Sequence, residues 1–276
     1  MEFGAHLPLI EFDGAPAPST LADLRAYAGR AAALGYSWLC ANDHLVFSRP
    51  WLDGPTALAA TIDAAAGMTI ATTVALPVVR GAAPTAKTLA ALHQLSGGRL
   101  VAGLGPGSSR DDYAMVGAAF DERWKLFARA VGEVRSLLGA GAPPIWLASW
   151  GSPAGMRRVA RLGDGWLASG YNTTPARFRD GVAALPDGFP NAIATMWLHV
   201  TESRRAADRL IADVLAPMLR RPAEAVRELS LPIGPPELCA ERISAYQQAG
   251  AERILVWPVG DELRQLELFR EIVAAG

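Results

Sequence analysis

The chain has few cysteines, and their scarcity limits the chemistry that thiols could supply. Cys40 and Cys239 are the only two among 276 residues, and no Cys-x-x-Cys spacing occurs. Cys40 lies in the apolar run 38–41, which favours a reduced cysteine in the core. The four histidines are scattered and show no metal-ligand spacing, so we also expect no metal site.

An excess of basic residues is missing as well. The 26 lysines and arginines are balanced by 27 aspartates and glutamates, which gives a formal net charge of −1. The arginine pairs Arg157-Arg158 and Arg204-Arg205 are isolated, and such pairs are typical of solvated helix faces rather than of a binding patch. Nucleic acids and anionic membranes require a basic footprint, so we expect neither as the main partner.

No apolar run is long enough to cross a membrane, for which about 20 residues are needed. Residues 1–6 contain neither the basic segment nor the apolar segment of a secretory signal. We therefore expect a cytoplasmic protein that acts on a small molecule. The sequence is also compatible with a homodimer.

What the chain does have is hydrophobic material in a regular alternation. Hydrophobic residues make up 51% of the sequence, enough for a sizeable core. Short β-branched or apolar runs occur at residues 3–8, 37–41, 69–76, 99–103, 144–148, 165–169, 192–200 and 253–258. Amphipathic stretches lie between them, at residues 20–34, 84–95, 121–138, 203–219 and 236–249.

This alternation predicts a parallel sheet, because strands that are covered by helices on both faces are apolar throughout. Eight strand–helix units favour an α/β fold closed into a single (β/α)₈ TIM barrel, formed by residues 1–276 as one domain. An open doubly wound sheet is the alternative if one strand is misassigned. The segment 219–235 is the least regular, and we expect a short extra helix at 223–229.

In such a barrel the functional residues follow the carboxyl ends of the strands. Asn42-Asp43-His44 follows the second strand. A histidine at this place can hydrogen-bond a ring or move a proton near neutral pH, and the adjacent Asp43 can fix its tautomer or bond a ring nitrogen itself. The alternative is that Asp43 caps a turn and His44 is an ordinary loop residue.

Two later segments have the features of a phosphate site. The glycine-rich loop 103–110 follows the fourth strand, although Pro106 and Ser108 depart from the dinucleotide fingerprint. The segment 149–153, Ser-Trp-Gly-Ser-Pro, opens a helix after the fifth strand, and free amides at a helix start bind anions.

The segment 149–153 also permits a different hypothesis, a serine hydrolase. Ser149, Asp164 and His199 occur in the order of the α/β-hydrolase triad. A nucleophile elbow would require glycine two residues before the serine, and Leu147 stands there. Trp257, at the end of the last strand, is a candidate pocket wall.

Five motifs occur in an order and spacing that are specific when taken together. They are Ala-Leu-Gly-Tyr-Ser-Trp-Leu at 33–39, Asp-His-Leu-Val at 43–46, Leu-Ser-Gly-Gly-Arg-Leu at 95–100, Gly-Leu-Gly-Pro-Gly at 103–107 and Leu-Gly-Asp-Gly-Trp at 162–166. Together they resemble the luciferase-like monooxygenase family, which includes coenzyme F420-dependent reductases and dehydrogenases. The resemblance covers most of the chain.

The resemblance implies a TIM barrel whose C-terminal face holds a deazaflavin or flavin ring, with His44 beside the reactive part of that ring. It also implies a non-prolyl cis peptide at Val74-Ala75, or one bond away, supporting the back of the ring. The cofactor-binding residues implied in this way are Asp43, His44, Thr73, Val74, Ala75, Gly105, Gly107, Ser108, Ser149, Gly151 and Ser152.

Three departures from the family pattern bear on the cofactor, the proton chemistry and the substrate side. Pro106 stands where FMN-dependent luciferases have an arginine, and Ser108 stands where sugar-phosphate dehydrogenases of the deazaflavin branch have a catalytic glutamate. The family's extra hairpin before the fifth strand is shortened to residues 138–142. The missing loop arginine and the Asp-His-Leu-Val match favour coenzyme F420 as the cofactor, with FMN as the alternative.

The resulting hypothesis is an oxidoreductase that transfers a hydride between coenzyme F420, or reduced FMN, and an unidentified small organic substrate. His44 and Asp43 are its expected catalytic residues. The alternatives are an FMN-dependent luciferase-like monooxygenase, a non-catalytic flavin-binding barrel and the serine hydrolase.

Overall fold

The computed structural model of the protein describes residues 1–12 and 20–275. Its strands are β1 (Glu2–His6), β2 (Trp38–Ala41), β3 (Thr69–Thr72), β4 (Leu100–Leu104), β5 (Ile145–Ala148), β6 (Gly165–Ser169), β7 (Asn191–Val200), β8 (Ile233–Gly234) and β9 (Arg253–Pro258). Neighbouring strands pair in parallel from β1 to β7, β7 pairs with β9, and β9 pairs with β1. These eight strands close a barrel, which confirms the predicted (β/α)₈ fold over the open sheet.

Helices connect the strands along the outside of the barrel. They are α1 (Leu21–Ala33), α2 (Gly54–Thr61), α3 (Ala82–Leu95), α4 (Arg110–Met115), α5 (Arg123–Leu138), α6 (Pro153–Leu162), α7 (Pro175–Ala183), α8 (Arg204–Arg209), α9 (Ala216–Leu219), α10 (Ala223–Arg227), α11 (Pro236–Gln248) and α12 (Glu262–Ala275). A 3₁₀ turn at Phe120–Glu122 precedes α5, and a π-helical turn at Leu210–Leu215 joins α8 to α9.

Helix boundaries follow local capping chemistry. Thr20 and Asp23 form a capping box at the start of α1, and Ser152 accepts a hydrogen bond from the Gly155 amide at the start of α6. A side-chain acceptor at this position satisfies an amide that has no partner within the helix. The start of α6 is thereby fixed immediately after β5, facing the carboxyl end of the barrel.

The strands are apolar throughout because both of their faces are covered. The barrel interior is filled by a cluster that includes Trp38, Cys40, Trp146 and Leu255. A larger cluster lies between the strands and the helices and includes Cys239. Both cysteines are free and buried, which confirms the prediction made for Cys40. Within the described part of the chain, no helix is both long enough and apolar enough to cross a membrane.

The structure differs from the sequence-based elements in three places. β3 ends at Thr72 rather than at residue 76, since the following backbone turns into the barrel mouth. The two-residue strand β8 was not predicted, and it pairs with the end of β7. The expected helix 203–219 is divided into α8, a π-helical turn and α9, while the extra helix expected at 223–229 is α10.

Candidate active site at the carboxyl end of the barrel

Two adjoining cavities open at the carboxyl end of the barrel. The first lies over the ends of β2 to β7, and the second lies beneath the segment that contains α9. Five residues line both cavities: Asn42, His44, Ser108, Trp150 and Tyr171. A molecule in one cavity would therefore be in direct reach of a molecule in the other.

His44 lies at the junction of the two cavities and is fixed by an aspartate from another loop. Its Nδ1 is 2.7 Å from Oδ2 of Asp112, whose side chain is fully buried. The other Asp112 oxygen accepts the amides of Leu45 (2.9 Å) and Val46 (2.8 Å). A carboxylate accepts hydrogen bonds, so Nδ1 of His44 carries the proton, and Nε2 has no hydrogen-bond partner among the described residues.

The electrostatic balance at Asp112 favours its ionised form. Burial alone would raise the pKa of this carboxyl, but the hydrogen bonds from His44 and from the amides of Val46 and Leu45 bring the pKa below its ordinary value. The carboxylate is therefore present at neutral pH, where it fixes the tautomer of His44 and can stabilise a positive charge on the imidazole.

Asp112→Asn tests this balance through stability. A carboxyl whose pKa is depressed in the folded state stabilises the fold above its unfolded pKa of about 3.9, and this stabilisation is lost as the pH falls. We expect the free energy of unfolding of the wild type to exceed that of the variant by a constant amount at neutral pH. The difference should shrink below about pH 4. Urea unfolding at several pH values measures it, and a pH-independent difference would contradict the ionised Asp112.

Asp43 does not make the contact with His44 that the sequence suggested. It lies next in the chain, but its buried carboxylate turns the other way and binds Arg80, with Arg80 Nε at 2.5 Å and Nη2 at 2.6 Å. Arg80 also pairs with Asp53. The hydrogen bonds to Asp43 and Asp53 raise the pKa of Arg80 above its ordinary value. Asp43 still lines the first cavity, but Asp112 is the residue that orients His44.

The backbone after β3 forms one wall of the first cavity. The non-prolyl cis peptide lies at Thr73-Val74, one bond before the position first expected and within the stated margin. Thr73 and Val74 line the cavity. Ala75 does not line it, because Ala75 is packed in the core, where its backbone pairs with Gly103 and Gly105 of the neighbouring loop.

The loop after β4 continues this wall of the first cavity with Gly105, Gly107 and Ser108. A side chain at Gly105 would overlap Val74, so glycine allows this loop to lie against the end of β3. Gly107 has a φ of 80°, which favours glycine. The loop can therefore present its backbone to a flat ligand.

The residues after β5 are divided between the cavity and its rim. Ser149 lines the first cavity, and its hydroxyl accepts the Gly151 amide at 3.3 Å. Gly151 and Ser152, expected at the phosphate, do not line either cavity, since Ser152 is engaged as the cap of α6. Arg123, at the start of α5, does line the first cavity and was not foreseen.

The first cavity fits a flat ring with polar edges. Its apolar surface comes from aliphatic side chains such as Leu76, Ala148 and Leu167 and from aromatic ones such as Trp124. Ser169 and Thr195 add hydroxyls. Asn42 has a buried side-chain oxygen without a hydrogen-bond partner in the described structure. Unpaired buried acceptors are rare in native proteins, and a ring N–H would satisfy this one.

The second cavity has aromatic walls. They are formed by Phe47, Trp51, Trp150, Tyr171, Trp197 and Trp257, which includes the tryptophan suggested as a pocket wall. The indoles of Trp197 and Trp257 are stacked with ring centroids 4.4 Å apart. Beneath them His6 stacks on Trp257 and bonds Thr73 at 2.7 Å. Burial lowers the pKa of His6 to about 3, so this histidine is neutral.

The triad of a serine hydrolase is not assembled. Asp164 binds Arg135 and the Ile145 amide, at the amino end of β5, whereas Ser149 follows the carboxyl end of that strand. Nδ1 of His199 bonds the carbonyl of Val259. The hydrolase hypothesis is therefore wrong, because its carboxylate lies at the opposite end of the barrel.

Residues 1–253 match the luciferase-like monooxygenase family, so the match extends over nearly the whole barrel. The chain belongs to this family. A comparison with curated protein sequences gives no match. Membership supports an oxidoreductase or monooxygenase with a flavin-type cofactor.

Several solved structures share the fold. An F420-dependent secondary alcohol dehydrogenase in complex with an F420-acetone adduct is 17% identical, with a TM-score of 0.80 over 99% of this chain and 98% of the other. The FMN complex of the oxygenating constituent of 3,6-diketocamphane monooxygenase from Pseudomonas putida is 17% identical, with a TM-score of 0.74 over 100% and 98%. The F420-dependent tetrahydromethanopterin reductase from Methanopyrus kandleri is 15% identical, with a TM-score of 0.72 over 99% and 98%.

Proposed function

We propose that this luciferase-like protein is an oxidoreductase that transfers a hydride between coenzyme F420 and a small organic substrate. The observation that carries the proposal is the His44–Asp112 pair at the junction of the two cavities. The first cavity would hold the deazaflavin ring, and the second would hold the substrate. A bound deazaflavin supplies a carbon centre that accepts or donates the hydride.

His44 supports this chemistry by moving the proton that accompanies the hydride. Its Nδ1 is held by Asp112, so Nε2 is available to a substrate oxygen in the second cavity. In the oxidation direction Nε2 takes the hydroxyl proton, and Asp112 stabilises the resulting imidazolium. In the reduction direction the imidazolium returns this proton to the carbonyl oxygen. Two aromatic rings hold the imidazole of His44 in place. Trp51 makes an edge-on contact with ring centroids 4.8 Å apart, and Phe47 makes a tilted contact with centroids 5.1 Å apart.

The residues of the first cavity would bind the cofactor without taking part in proton transfer. Val74 would contact the back of the ring, and Asn42 would accept a hydrogen bond from its edge. The loop of Gly105, Gly107 and Ser108 would lie beside the ribityl-phosphate chain, with Ser149 close by. Gly151 and Ser152 would contribute to phosphate binding only through the backbone amides at the start of α6.

An FMN-dependent monooxygenase is the second candidate, and Arg123 could supply a phosphate contact for its cofactor. Arg123 reaches the first cavity from α5. Its guanidinium could take the place of the loop arginine that is replaced by Pro106 in this chain. Its guanidinium donates to the Phe120 carbonyl at 3.1 Å and stacks on the Phe120 ring, and it has no carboxylate partner in the described residues. An arginine in this position suits any phosphate-bearing cofactor.

We expect coenzyme F420 to bind about tenfold or more tightly than FMN, since the loop arginine of FMN-dependent relatives is replaced by Pro106 and a charge-assisted hydrogen bond contributes roughly 1.5–3 kcal/mol. Fluorescence titration of the purified protein with each cofactor measures both dissociation constants. Riboflavin serves as the control that reports the ring without its phosphate. Tighter binding of FMN would favour the monooxygenase, and saturable F420 binding without turnover of any substrate would favour a non-catalytic barrel.

A further inference from the structure

Three arginines form a basic strip on the outer side of α6. The sequence suggested that Arg157 and Arg158 are a solvated pair, and the structure adds Arg161 one turn further along. Together with Ala154 and Ala160 they line a shallow surface groove. Within residues 1–12 and 20–275, none of the three guanidinium groups has a carboxylate partner.

The strip is continuous with the first cavity through aromatic contacts. The guanidinium of Arg158 lies 4.4 Å from the ring centroid of Trp124, and Trp124 lines the first cavity. Arg123 lines the same cavity and lies 5.7 Å from the Trp124 ring. A path lined by positive charge therefore runs from the cavity, across Trp124, to the exposed groove on α6.

The three arginines of the strip repel one another. Arg157 and Arg161 are four residues apart on one helix face, and like charges at this spacing are mutually destabilising. Burial and the neighbouring Arg161 lower the pKa of Arg158 below its ordinary value. An anionic ligand would relieve this repulsion.

The length of the strip matches a chain that extends from the cofactor phosphate. The phosphate would lie near the start of α6, where the amides of the first turn have no partners within the helix. A helix rises 1.5 Å per residue, so Arg161 lies about 12 Å along the axis from Pro153. An extended tail of a few carboxylate-bearing units spans this distance. Coenzyme F420 carries a lactyl-oligoglutamyl tail beyond its phosphate, whereas FMN ends at the phosphate.

We propose that Arg157, Arg158 and Arg161 bind the carboxylate-bearing tail of the deazaflavin cofactor and thereby distinguish it from FMN. This inference rests on the proposed function, since it concerns the same cofactor. The tail leaves the first cavity beside Arg123, passes Trp124 and places its carboxylates against the α6 arginines. The tail contacts are electrostatic and exposed, so they add affinity without contacting the reacting atoms.

The test compares F420 that carries several glutamates with F420 from which they have been removed. The variants are Arg157→Gln/Arg161→Gln and, as the matched control, Arg204→Gln/Arg205→Gln on α8. Each variant loses two exposed arginines that form no ion pair within the described part of the chain, and the α8 pair lines neither cavity. Dissociation constants are measured by fluorescence titration at low and at high salt.

We expect the wild type to bind the long-tailed cofactor roughly threefold to tenfold more tightly than the tailless form, as expected for two exposed ion pairs. This preference should fall in the α6 variant, which keeps only Arg158 of the strip. It should persist in the α8 variant, and it should weaken at high salt because exposed pairs are screened. Equal affinity for both forms in the wild type, or an unchanged preference in the α6 variant, would overturn this inference alone. If neither form of F420 binds to the protein, both the tail inference and the proposed function are overturned.

Discussion

Replacing His44 with alanine should reduce turnover by about 10²- to 10⁴-fold while cofactor affinity changes by about 1 kcal/mol or less. The expected loss is large because His44 is the group at the junction of both cavities whose tautomer is fixed by Asp112. The affinity change is small because only one neutral hydrogen bond to the ring or substrate is lost. Steady-state kinetics and cofactor titration measure the two effects separately.

His93→Ala is the matched control for this experiment. His93 lies on α3 and lines neither cavity, so its removal should leave turnover unchanged. Near-normal turnover in the His44 variant would return His44 to the alternative considered from the sequence, an ordinary loop residue. A parallel loss of cofactor affinity and turnover would instead assign His44 to binding.

Replacing Arg80 with methionine should destabilise the fold by roughly 3 kcal/mol, because a buried carboxylate that loses its partner remains as an uncompensated charge. The side chain of Asp43 is 2% exposed, and both of its oxygens accept hydrogen bonds from Arg80. Methionine keeps most of the apolar volume of the arginine stem. Urea unfolding of the cofactor-free protein measures the change.

The double variant Arg80→Met/Asp43→Asn separates charge from packing. Its unpaired group is a neutral amide rather than a carboxylate, so we expect it to recover part of the lost stability. Asp53→Asn should cost less than Arg80→Met, because the Asp53 side chain is 40% exposed and the Arg80–Asp43 contact is retained. A loss of less than about 1 kcal/mol in Arg80→Met would show that the buried pair contributes little.

The barrel could be predicted because its signals are local. Each of the eight strands is a short apolar run followed by a helical stretch, and the structure contains all eight. The strand Ile233–Gly234 escaped prediction because two residues have no periodicity. Its pairing depends on the end of β7, which lies more than thirty positions earlier in the chain.

The site could be predicted only where chemistry lies in one continuous segment. His44, Val74 and the loop of Gly105 follow their strands directly, and all three line the first cavity. Their partners were not foreseen, because Asp112 is 68 positions from His44. The adjacency of Asp43 and His44 was misleading, since neighbouring residues in an extended segment point in different directions.

The remaining surprises are arginines, one in the turn after β3 and two on helices. Arg80 lies 37 positions from Asp43, and its pairing follows from the packing of the segment after β3. Arg123 and Arg158 are placed beside the first cavity by the contact of α5 with α6 through Trp124. An arginine in a helical pattern has the same sequence signal whether it faces solvent or a ligand. Only the tertiary arrangement separates the two cases.

A crystal structure of the complex with coenzyme F420 tests the central claim most directly. We predict that the deazaflavin ring lies in the first cavity against Val74, with its reactive edge facing the second cavity. Nε2 of His44 should lie at that edge, within about 3.2 Å of a bound substrate oxygen or of the water that replaces it. A ring bound outside the first cavity, or a His44 Nε2 directed away from the junction, would contradict the proposed function.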